Sequence, residues 1–337
     1  MARVWLWLAA LLSPLPFALA LAAASPAAAG EPCAGSGGEE CPYTSLTIVG
    51  RRAESVLRFP EAVALGAEGD VYVADQLGYA VQRFSATGSF LGEWGSYGSG
   101  AGQFGPIGGL ATDGAGNVYV VDSDHNRIEK FTSSGQFLTA WGHGGSELGE
   151  FRFYSSQNPS QPPGGGIGVY GEHVYVADSG NNRIERFNLN GGEAIQWGSY
   201  GSGPGELSYP RAVAANGSEV IVSDDDNHRL ERFGVNGEYE TSYGGDGDRG
   251  AHFGFPYGVA LDGAGDVYVA DDIDHRIVEL SPRGDFVREW GSFGSAHGEL
   301  AFPRALASDS RGDTYVADTA NDRVQVFSAR GRYVRTI

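Results

Sequence analysis

The stretch VYVADSGNNRIERF, from Val174 to Phe187, alternates apolar and polar residues, breaks at a polar turn and then alternates again. Alternation of this kind predicts two half-buried strands joined by a hairpin. Similar stretches begin at Val71, Val118, Val220, Val267 and Thr314. The second residues of the six copies lie at 72, 119, 175, 221, 268 and 315, so successive copies are 47, 56, 46, 47 and 47 residues apart. A period of this length is typical of propellers, solenoids and other repeat arrays.

Each copy belongs to a larger unit of four short runs. A run such as FPEAVAL precedes the hairpin, which supplies two runs, and a fourth run such as FLGEWG follows it. The runs are rich in β-branched and aromatic residues and are bounded by Gly, Asp, Asn or Ser. None shows sustained helical periodicity. Four short antiparallel strands per unit, repeated six times, predict an all-β protein, a six-bladed β-propeller.

The repeated motif also resembles a known family. A PxGVA-type run, then VYVADSGNNRI, then a turn with Gly and a closing WG is similar to the NHL repeat. The resemblance implies one NHL-type propeller of four-stranded antiparallel blades over residues 45–337. Copy one departs from the pattern, because it has Ala80 where the other five copies have Arg.

Two runs compete for the outer strand of the last blade. SLTIVG begins at Ser45, before the first blade, and RYVRTI begins at Arg332 and ends the sequence. We expect the N-terminal run to take this place, because pairing both chain ends in one sheet locks the ring. The C-terminal run then extends that sheet or packs as a tail.

Residues 1–29 read as a secretory signal peptide, with a basic start, an apolar stretch and an Ala-rich end. The alternative is a membrane anchor, but Ser13, Pro14 and Pro16 interrupt the apolar run. We therefore expect a secreted or extracytoplasmic protein that does not insert into a membrane once its leader is cleaved.

Residues 30–44 form a predicted flexible segment that contains the two cysteines of the sequence, Cys33 and Cys41. An oxidising compartment allows a disulfide between them, although the sequence does not decide whether they pair.

The charge balance restricts the partners. The sequence has 23 basic and 42 acidic residues, for a net charge of -19. Such acidity argues against nucleic acids and anionic membranes. A protein, a peptide or a cell-envelope glycan is the expected partner of a propeller that we predict to be a monomer.

An Asp ends the second run of every unit, and in five units an Arg follows five residues later. Across a tight hairpin the two side chains can pair or can bind backbone groups of the turn. A ring of carboxylates for cations is the alternative, but repetition in nearly every blade favours a structural role. These residues are Asp75, Asp122, Arg127, Asp178, Arg183, Asp224, Arg229, Asp271, Arg276, Asp318 and Arg323.

Candidate binding residues lie where the repeats differ. The residue after the first-run Pro is Glu61, Arg211, Tyr257 or Arg304. At the start of innermost strands these side chains would line the mouth of the central channel and meet a polar or anionic ligand. Solvated charges at the rim are the alternative.

Histidines give a second candidate set. His125, His228 and His275 lie in turns between second and third strands, on one predicted face. If they converged with carboxylates they would bind zinc, but the sequence has no H-x-H or H-E-x-x-H spacing. No cofactor is predicted, and calcium or zinc stays open.

The connection between units two and three carries about ten extra residues around the stretch from Phe153 to Gly166, a departure from the ~47-residue period. Insertions of this kind either carry specificity or reflect tolerated length variation.

A secreted, non-catalytic binding or scaffolding propeller is the leading hypothesis, and no catalytic residue is predicted. The alternative is a metal-dependent enzyme at the channel mouth, a lyase or a lactonase-like hydrolase. Among NHL-repeat proteins, amidating lyases use zinc held by histidines near the channel, whereas the first runs here contain no His.

Overall fold

The computed structural model describes residues 57–154, 162, 164–245 and 251–337. The predicted leader (1–29), the segment 30–44 with Cys33 and Cys41, and most of the insertion lie outside the described residues. Within them, 24 strands form six antiparallel sheets of four strands each, with three single turns of 3-10 helix. This is a six-bladed β-propeller, and the predicted fold class is confirmed.

The strands follow the chain blade by blade. Their bounds are β1 Pro60–Leu65, β2 Val71–Asp75, β3 Ala80–Phe84 and β4 Phe90–Trp94 in blade 1; β5 Ile107–Thr112, β6 Val118–Asp122, β7 Arg127–Phe131 and β8 Phe137–Trp141 in blade 2; β9 Ile167–Tyr170, β10 His173–Asp178, β11 Arg183–Asn188 and β12 Ile195–Trp197 in blade 3; β13 Pro210–Ala215, β14 Glu219–Asp224, β15 Arg229–Gly234 and β16 Tyr239–Gly244 in blade 4; β17 Pro256–Leu261, β18 Val267–Asp271, β19 Arg276–Leu280 and β20 Phe286–Trp290 in blade 5; and β21 Pro303–Ser308, β22 Thr314–Asp318, β23 Arg323–Phe327 and β24 Tyr333–Thr336 in blade 6.

The first strands of the six blades contact one another in a ring, so they line the centre of the molecule. Each second strand is buried along its whole length, apart from His173 at the start of β10, because neighbouring blades cover both of its faces. The prediction that this strand is only half-buried is therefore wrong, and the coverage on both faces explains why VYVAD is apolar at successive positions rather than only at alternate ones.

Blade 6 shows how the ring closes. Its outer strand is β24, from the C-terminal run, which pairs with β23. The prediction that the N-terminal run takes this fourth place is wrong, and the Ser45 run itself lies outside the described residues. Blades 6 and 1 are joined instead by hydrogen bonds: the Thr319 hydroxyl donates to the Pro60 carbonyl at 2.8 Å, and the Phe59 amide donates to Asp322 Oδ1 at 2.7 Å.

Aromatic packing joins neighbouring blades. Trp94 at the end of β4 lies 5.9 Å from the ring of Phe131 in blade 2, measured between centroids. The β7–β8 turn passes over this Trp at Gly135, whose φ is +84°, and a Cβ there would come within 2.7 Å of the indole. Glycine is therefore required at this turn by both backbone conformation and space.

The register between first and second strands fixes two faces. Pro60 pairs with Asp75, so the start of β1 lies beside the end of β2. The β2–β3 turns and the connections between blades share this side, which we call the upper face; the β1–β2 and β3–β4 turns form the lower face. Among the described residues, the structure contains no helix long and apolar enough to cross a membrane.

Candidate functional site

The repeated Asp and Arg meet in each of the five hairpins that have both. Arg183 Nε donates to Asp178 Oδ2 at 2.7 Å, and the other four pairs have corresponding distances of 2.6 to 3.2 Å. The second oxygen of Asp178 accepts the backbone amide of Arg152, in the connection from blade 2. The Arg183 guanidinium donates to carbonyls of the same connection, at Glu147 and Glu150. These groups thus fasten each interblade connection to the following blade.

A buried glutamate supports this arrangement in blades 2, 3 and 4. Glu185 Oε2 accepts the amide of Gly149 at 2.8 Å, and its other oxygen lies 2.5 Å from Arg183. Burial raises the pKa of Glu185 to about 7, and it raises the pKa of Glu231, at the same position in blade 4, to about 7. Blade 6 has Gln325 there, which accepts the amide of Gly298 at 3.0 Å.

The predicted mouth residues occupy one equivalent position of the first strand. The strand registers align Glu61, Arg211, Tyr257 and Arg304 in blades 1, 4, 5 and 6. Blade 2 has Gly108 at this position, where a Cβ would come within 2.2 Å of a backbone oxygen of the next blade. This position is therefore polar in blades 1, 4, 5 and 6, whereas in blade 2 the close backbone leaves room only for glycine.

The four predicted residues form one hydrogen-bonded group. Tyr257 donates its hydroxyl to Glu61 Oε1 at 2.6 Å, and Arg304 Nη1 donates to Glu61 Oε2 at 2.9 Å. Arg211 Nη1 lies 3.4 Å from the Tyr257 hydroxyl. Burial raises the pKa of Tyr257 well above its ordinary value, so the phenol stays protonated and acts as the donor.

Aromatic rings stack against both guanidinium groups. The Arg211 guanidinium lies 4.5 Å from the ring centroid of Tyr209 and 4.5 Å from that of Tyr257. The Arg304 guanidinium lies 4.9 Å from Phe59 and 5.2 Å from Tyr257. Such cation–π contacts hold the charged groups in fixed positions.

Two carboxylates complete the site, and the sequence analysis missed them. Asp225 Oδ2 accepts from Arg211 Nε at 2.9 Å, and Asp272 Oδ1 lies 3.7 Å from Arg304 Nε. Both follow the repeated Asp directly, where blades 2, 3 and 6 have Ser or Thr. Comparing this position across the repeats would have identified them. We call the whole group the mouth cluster; it consists of Glu61, Arg211, Asp225, Tyr257, Asp272 and Arg304.

The mouth cluster borders a small cavity on the propeller axis. The cavity measures about 60 Å³ and is lined by first-strand residues of all six blades, including Glu61, Arg211, Tyr257 and Arg304. This volume holds a few water molecules at most. A ligand larger than this volume can therefore place only a slender group in the cavity.

A larger cavity of about 520 Å³ lies on the lower face, between blades 3, 4 and 5. Its charged groups have partners: Glu219 accepts from Asn216 at 2.9 Å and pairs with Arg232 at 2.9 Å. Asp262 accepts two backbone amides within its own turn. The mouth cluster is the stronger candidate, because Asp225 Oδ1 and Asp272 Oδ1 are buried there and accept no hydrogen bond from the part of the chain that the structure describes.

The candidate metal ligands lie in three different blades. His125 contacts the carboxylate of Asp122, His228 contacts the Gly254 carbonyl, and His275 Nδ1 accepts the amide of Phe302. Each imidazole thus bonds within its own blade or to the next one. No three His, Cys, Asp or Glu side chains in the described part of the chain are placed to hold one metal ion.

The described ends of the insertion touch the mouth. The carbonyl of Pro162 accepts from Arg211 Nη1 at 2.8 Å and from the Tyr209 hydroxyl at 2.9 Å. The insertion between blades 2 and 3 therefore reaches the same site as the polar residues of blade 4.

Comparison with known proteins identifies the fold but no family. No protein-family model matches the chain, and no curated protein matches it. The NHL type therefore stays an interpretation of the sequence pattern.

Several solved structures are similar to this chain. A streptogramin B lyase structure has a TM-score of 0.55 at 16% identity, over 84% of each chain. A chain of a nidogen–laminin complex has a TM-score of 0.58 at 18% identity, over 77% of this chain and 90% of the other. A Bacteroides thetaiotaomicron protein of unknown function has a TM-score of 0.61 at 18% identity, over 82% and 70%. At such identities the likeness establishes the propeller fold, and its neighbours include both an enzyme and a protein from a binding complex.

Proposed function

We propose that the protein is an exported, monomeric binding propeller that recognises a protein, peptide or glycan at the mouth cluster. The observation that supports this is the meeting of Glu61, Arg211, Tyr257 and Arg304 in one hydrogen-bonded group. Features that every blade needs recur in every blade, whereas this group occurs once, at the centre of a face. A unique polar group at the mouth of a cavity is typical of a binding site.

The rigidity of the cluster also favours binding. Rings flank both guanidinium groups, and Asp225 and Glu61 hold one guanidinium each. Groups that are already ordered lose little entropy when a ligand arrives. A wrong ligand would leave buried polar atoms unpaired, at a cost of about 1–3 kcal/mol each, so the site discriminates between ligands.

Export and the partner class rest on sequence features. The signal-like residues 1–29 support export, and the net charge of -19 disfavours nucleic acid. These features leave protein, peptide and envelope glycan as the proposed partners.

The test is a binding screen against peptide and glycan libraries, followed by comparison of the wild-type protein with two variants. We expect Asp272→Ser, at the mouth, to weaken binding about tenfold or more, by removing a charged contact. Asp285→Ser removes an exposed carboxylate on the lower face and should leave binding unchanged. Ligands that bind both variants as well as wild type would place the binding surface elsewhere.

An enzyme acting at the same mouth is the second candidate. Burial raises the pKa of Asp272 to about 6, which suits a general base near neutral pH. Metal analysis of the purified protein, before and after chelation, separates the two proposals. A binding propeller should contain no stoichiometric calcium or zinc and should keep its melting temperature, whereas tightly bound metal would favour the lyase or hydrolase.

A further inference from the structure

The mouth cluster contains one more carboxylate than it has cations. Arg211 pairs with Asp225, and Arg304 pairs with Glu61, each at 2.9 Å. Asp272 has only the more distant contact with Arg304, at 3.7 Å. One negative charge at the mouth therefore lacks a hydrogen-bonded cation.

Two carboxylate oxygens in the cluster lack a hydrogen-bond donor. Asp225 Oδ1 and Asp272 Oδ1 are both buried and accept no hydrogen bond from any described residue. Asp225 is 2% exposed, so open solvent does not satisfy it. A buried carboxylate oxygen without a donor is costly, and a native structure normally pairs it with a water molecule or a ligand.

Three of the other four blades have a hydroxyl at the position of Asp225 and Asp272, and blade 1 has Gln76 there. Ser123, Ser179 and Thr319 each donate a hydroxyl to a carbonyl of the next blade, at 2.6 to 2.9 Å. An ionised carboxylate cannot make this bond, because it only accepts. Blades 4 and 5 thus have a carboxylate at this position instead of a hydroxyl donor, although in blade 4 Ser223, two residues earlier, donates to the Tyr257 carbonyl of blade 5 at 3.2 Å.

We propose that the mouth cluster binds a primary ammonium group, the amine of a lysine side chain or of a peptide N-terminus. This inference rests on the proposed binding function and names its ligand chemistry. An ammonium group brings one positive charge, which matches the excess carboxylate, and three donors for oxygens such as Asp272 Oδ1, whose nearest cation, Arg304 Nε, lies 3.7 Å away.

Electrostatics supports the same site. Burial raises the pKa of Asp272 to about 6; the charges of Glu61 and Asp225 act in the same direction, and those of Arg304 and Arg211 oppose it. A cation placed there would stabilise the ionised form of Asp272 and lower its pKa.

A peptide amine fits the approach better than an amino sugar. The Asp272 side chain is 17% exposed and that of Asp225 only 2%, so little of either carboxylate is open to a bulky group. A lysine stem is an unbranched chain that can reach inward. The amine of an amino sugar is attached directly to a bulky ring.

The experiment titrates the purified protein at pH 7.5 with Nα-acetyl-lysine N-methylamide and with its norleucine analogue, which has a similar stem but no amine. Calorimetry should give at least about tenfold tighter binding of the lysine compound. Triglycine amide and its N-acetylated form test the N-terminal amine in the same way, and glucosamine tests the sugar source.

A variant places the binding at the mouth. Asp272→Ser should fold, since three blades have a hydroxyl at this position, and should weaken amine binding about tenfold or more. Asp285→Ser is the matched control and should bind as wild type. Carbon-detected NMR can follow the titration of the Asp272 carboxyl in the wild-type protein. The pKa of Asp272 should be lower with the amine bound than without it.

The outcomes separate the two proposals. Some library ligands could bind the wild-type protein but not Asp272→Ser, and bind equally well when their amine is removed. That result would overturn the ammonium site and leave the binding function intact. Lysine binding that survives Asp272→Ser, or glucosamine binding tighter than lysine binding, would also overturn it. If neither library ligands nor amines bind, both proposals are wrong.

Discussion

Two sets of buried carboxylates in this propeller have opposite surroundings. In the hairpin of blade 3, Asp178 accepts from Arg183, Asn181 and a backbone amide, and both of its oxygens are occupied. At the mouth, Asp225 has one occupied oxygen and Asp272 has only a 3.7 Å contact to Arg304. The residue type is the same, but among these three aspartates only Asp178 has hydrogen bonds from described residues to both of its oxygens.

This difference distinguishes carboxylates with a structural role from carboxylates that can bind a ligand. A buried ion pair with every atom bonded holds the backbone and needs nothing from outside. A buried carboxylate with a vacant oxygen reduces stability unless another molecule completes it. The following four changes test this contrast, beginning with the largest expected effect.

Replacing Arg183 with Ala should be the most damaging change. It leaves Asp178 and Glu185 buried without their cation and removes donors to the interblade connection. Breaking a buried pair in this way typically costs about 3–5 kcal/mol. Denaturant unfolding measures the loss, and Arg311→Ala, at an exposed position, should leave stability unchanged. Equal effects of the two variants would refute the structural role of the hairpin pair.

Glu61→Gln should cost less, about 1–3 kcal/mol. It weakens the contact with Arg304 that links blade 1 to blade 6, but keeps an oxygen that can accept from Tyr257. Hydrogen exchange should rise at the first strands of blades 1 and 6 more than elsewhere. Glu68→Gln, at an exposed position of the same blade, is the control. If hydrogen exchange at these first strands is the same in both variants, Glu61 does not help to join blade 1 to blade 6.

The pH dependence of stability should change in Glu185→Gln. The pKa of Glu185 is about 7 in the folded protein and near 4.5 when the chain is unfolded. The folded state therefore holds this proton to higher pH, and stability falls as pH rises from about 4.5 to about 7. Glutamine should reduce that fall, as Gln325 already occupies the equivalent place in blade 6. The free energies of unfolding at pH 5 and pH 8 measure this fall. If their difference is the same in Glu185→Gln as in the wild-type protein, Glu185 does not titrate as inferred.

The smallest stability effect is expected from Asp272→Ser, within about 0.5 kcal/mol or slightly stabilising. The new hydroxyl can donate to the next blade, as Thr319 does to Pro60. Thermal unfolding measures the change. If Asp272→Ser lost as much stability as Arg183→Ala, Asp272 would be a structural residue like Asp178.

The sequence was enough to predict the fold because its signal repeats. Six copies of one hairpin at nearly constant spacing define the blades, and the five-residue spacing brings Asp178 to Arg183. The variable position after the first-strand Pro led to the mouth for a similar reason, because one register places Glu61, Tyr257 and Arg304 at the same height of the ring.

Other features depend on contacts within one blade or between neighbouring blades, made by residues that are apart in sequence, which no single copy of the repeat encodes. The outer strand of blade 6 was predicted wrongly, because SLTIVG and RYVRTI have similar strand character and only the assembled sheet selects between them. Asp225 and Asp272 were missed because each reads locally as part of a polar turn. Their importance comes from Arg211 and Arg304, on separate strands.

The way this ring closes has a consequence for its history and engineering. Each blade in the described chain is one unbroken segment, and blades 6 and 1 meet through side-chain and backbone bonds such as those of Thr319 and Phe59 rather than through a shared strand. The order of blades along the gene is therefore not dictated by the sheet pairing. Circular permutation at any interblade connection would leave all six sheets whole, and duplication of whole blades is the simplest route by which such a chain grows.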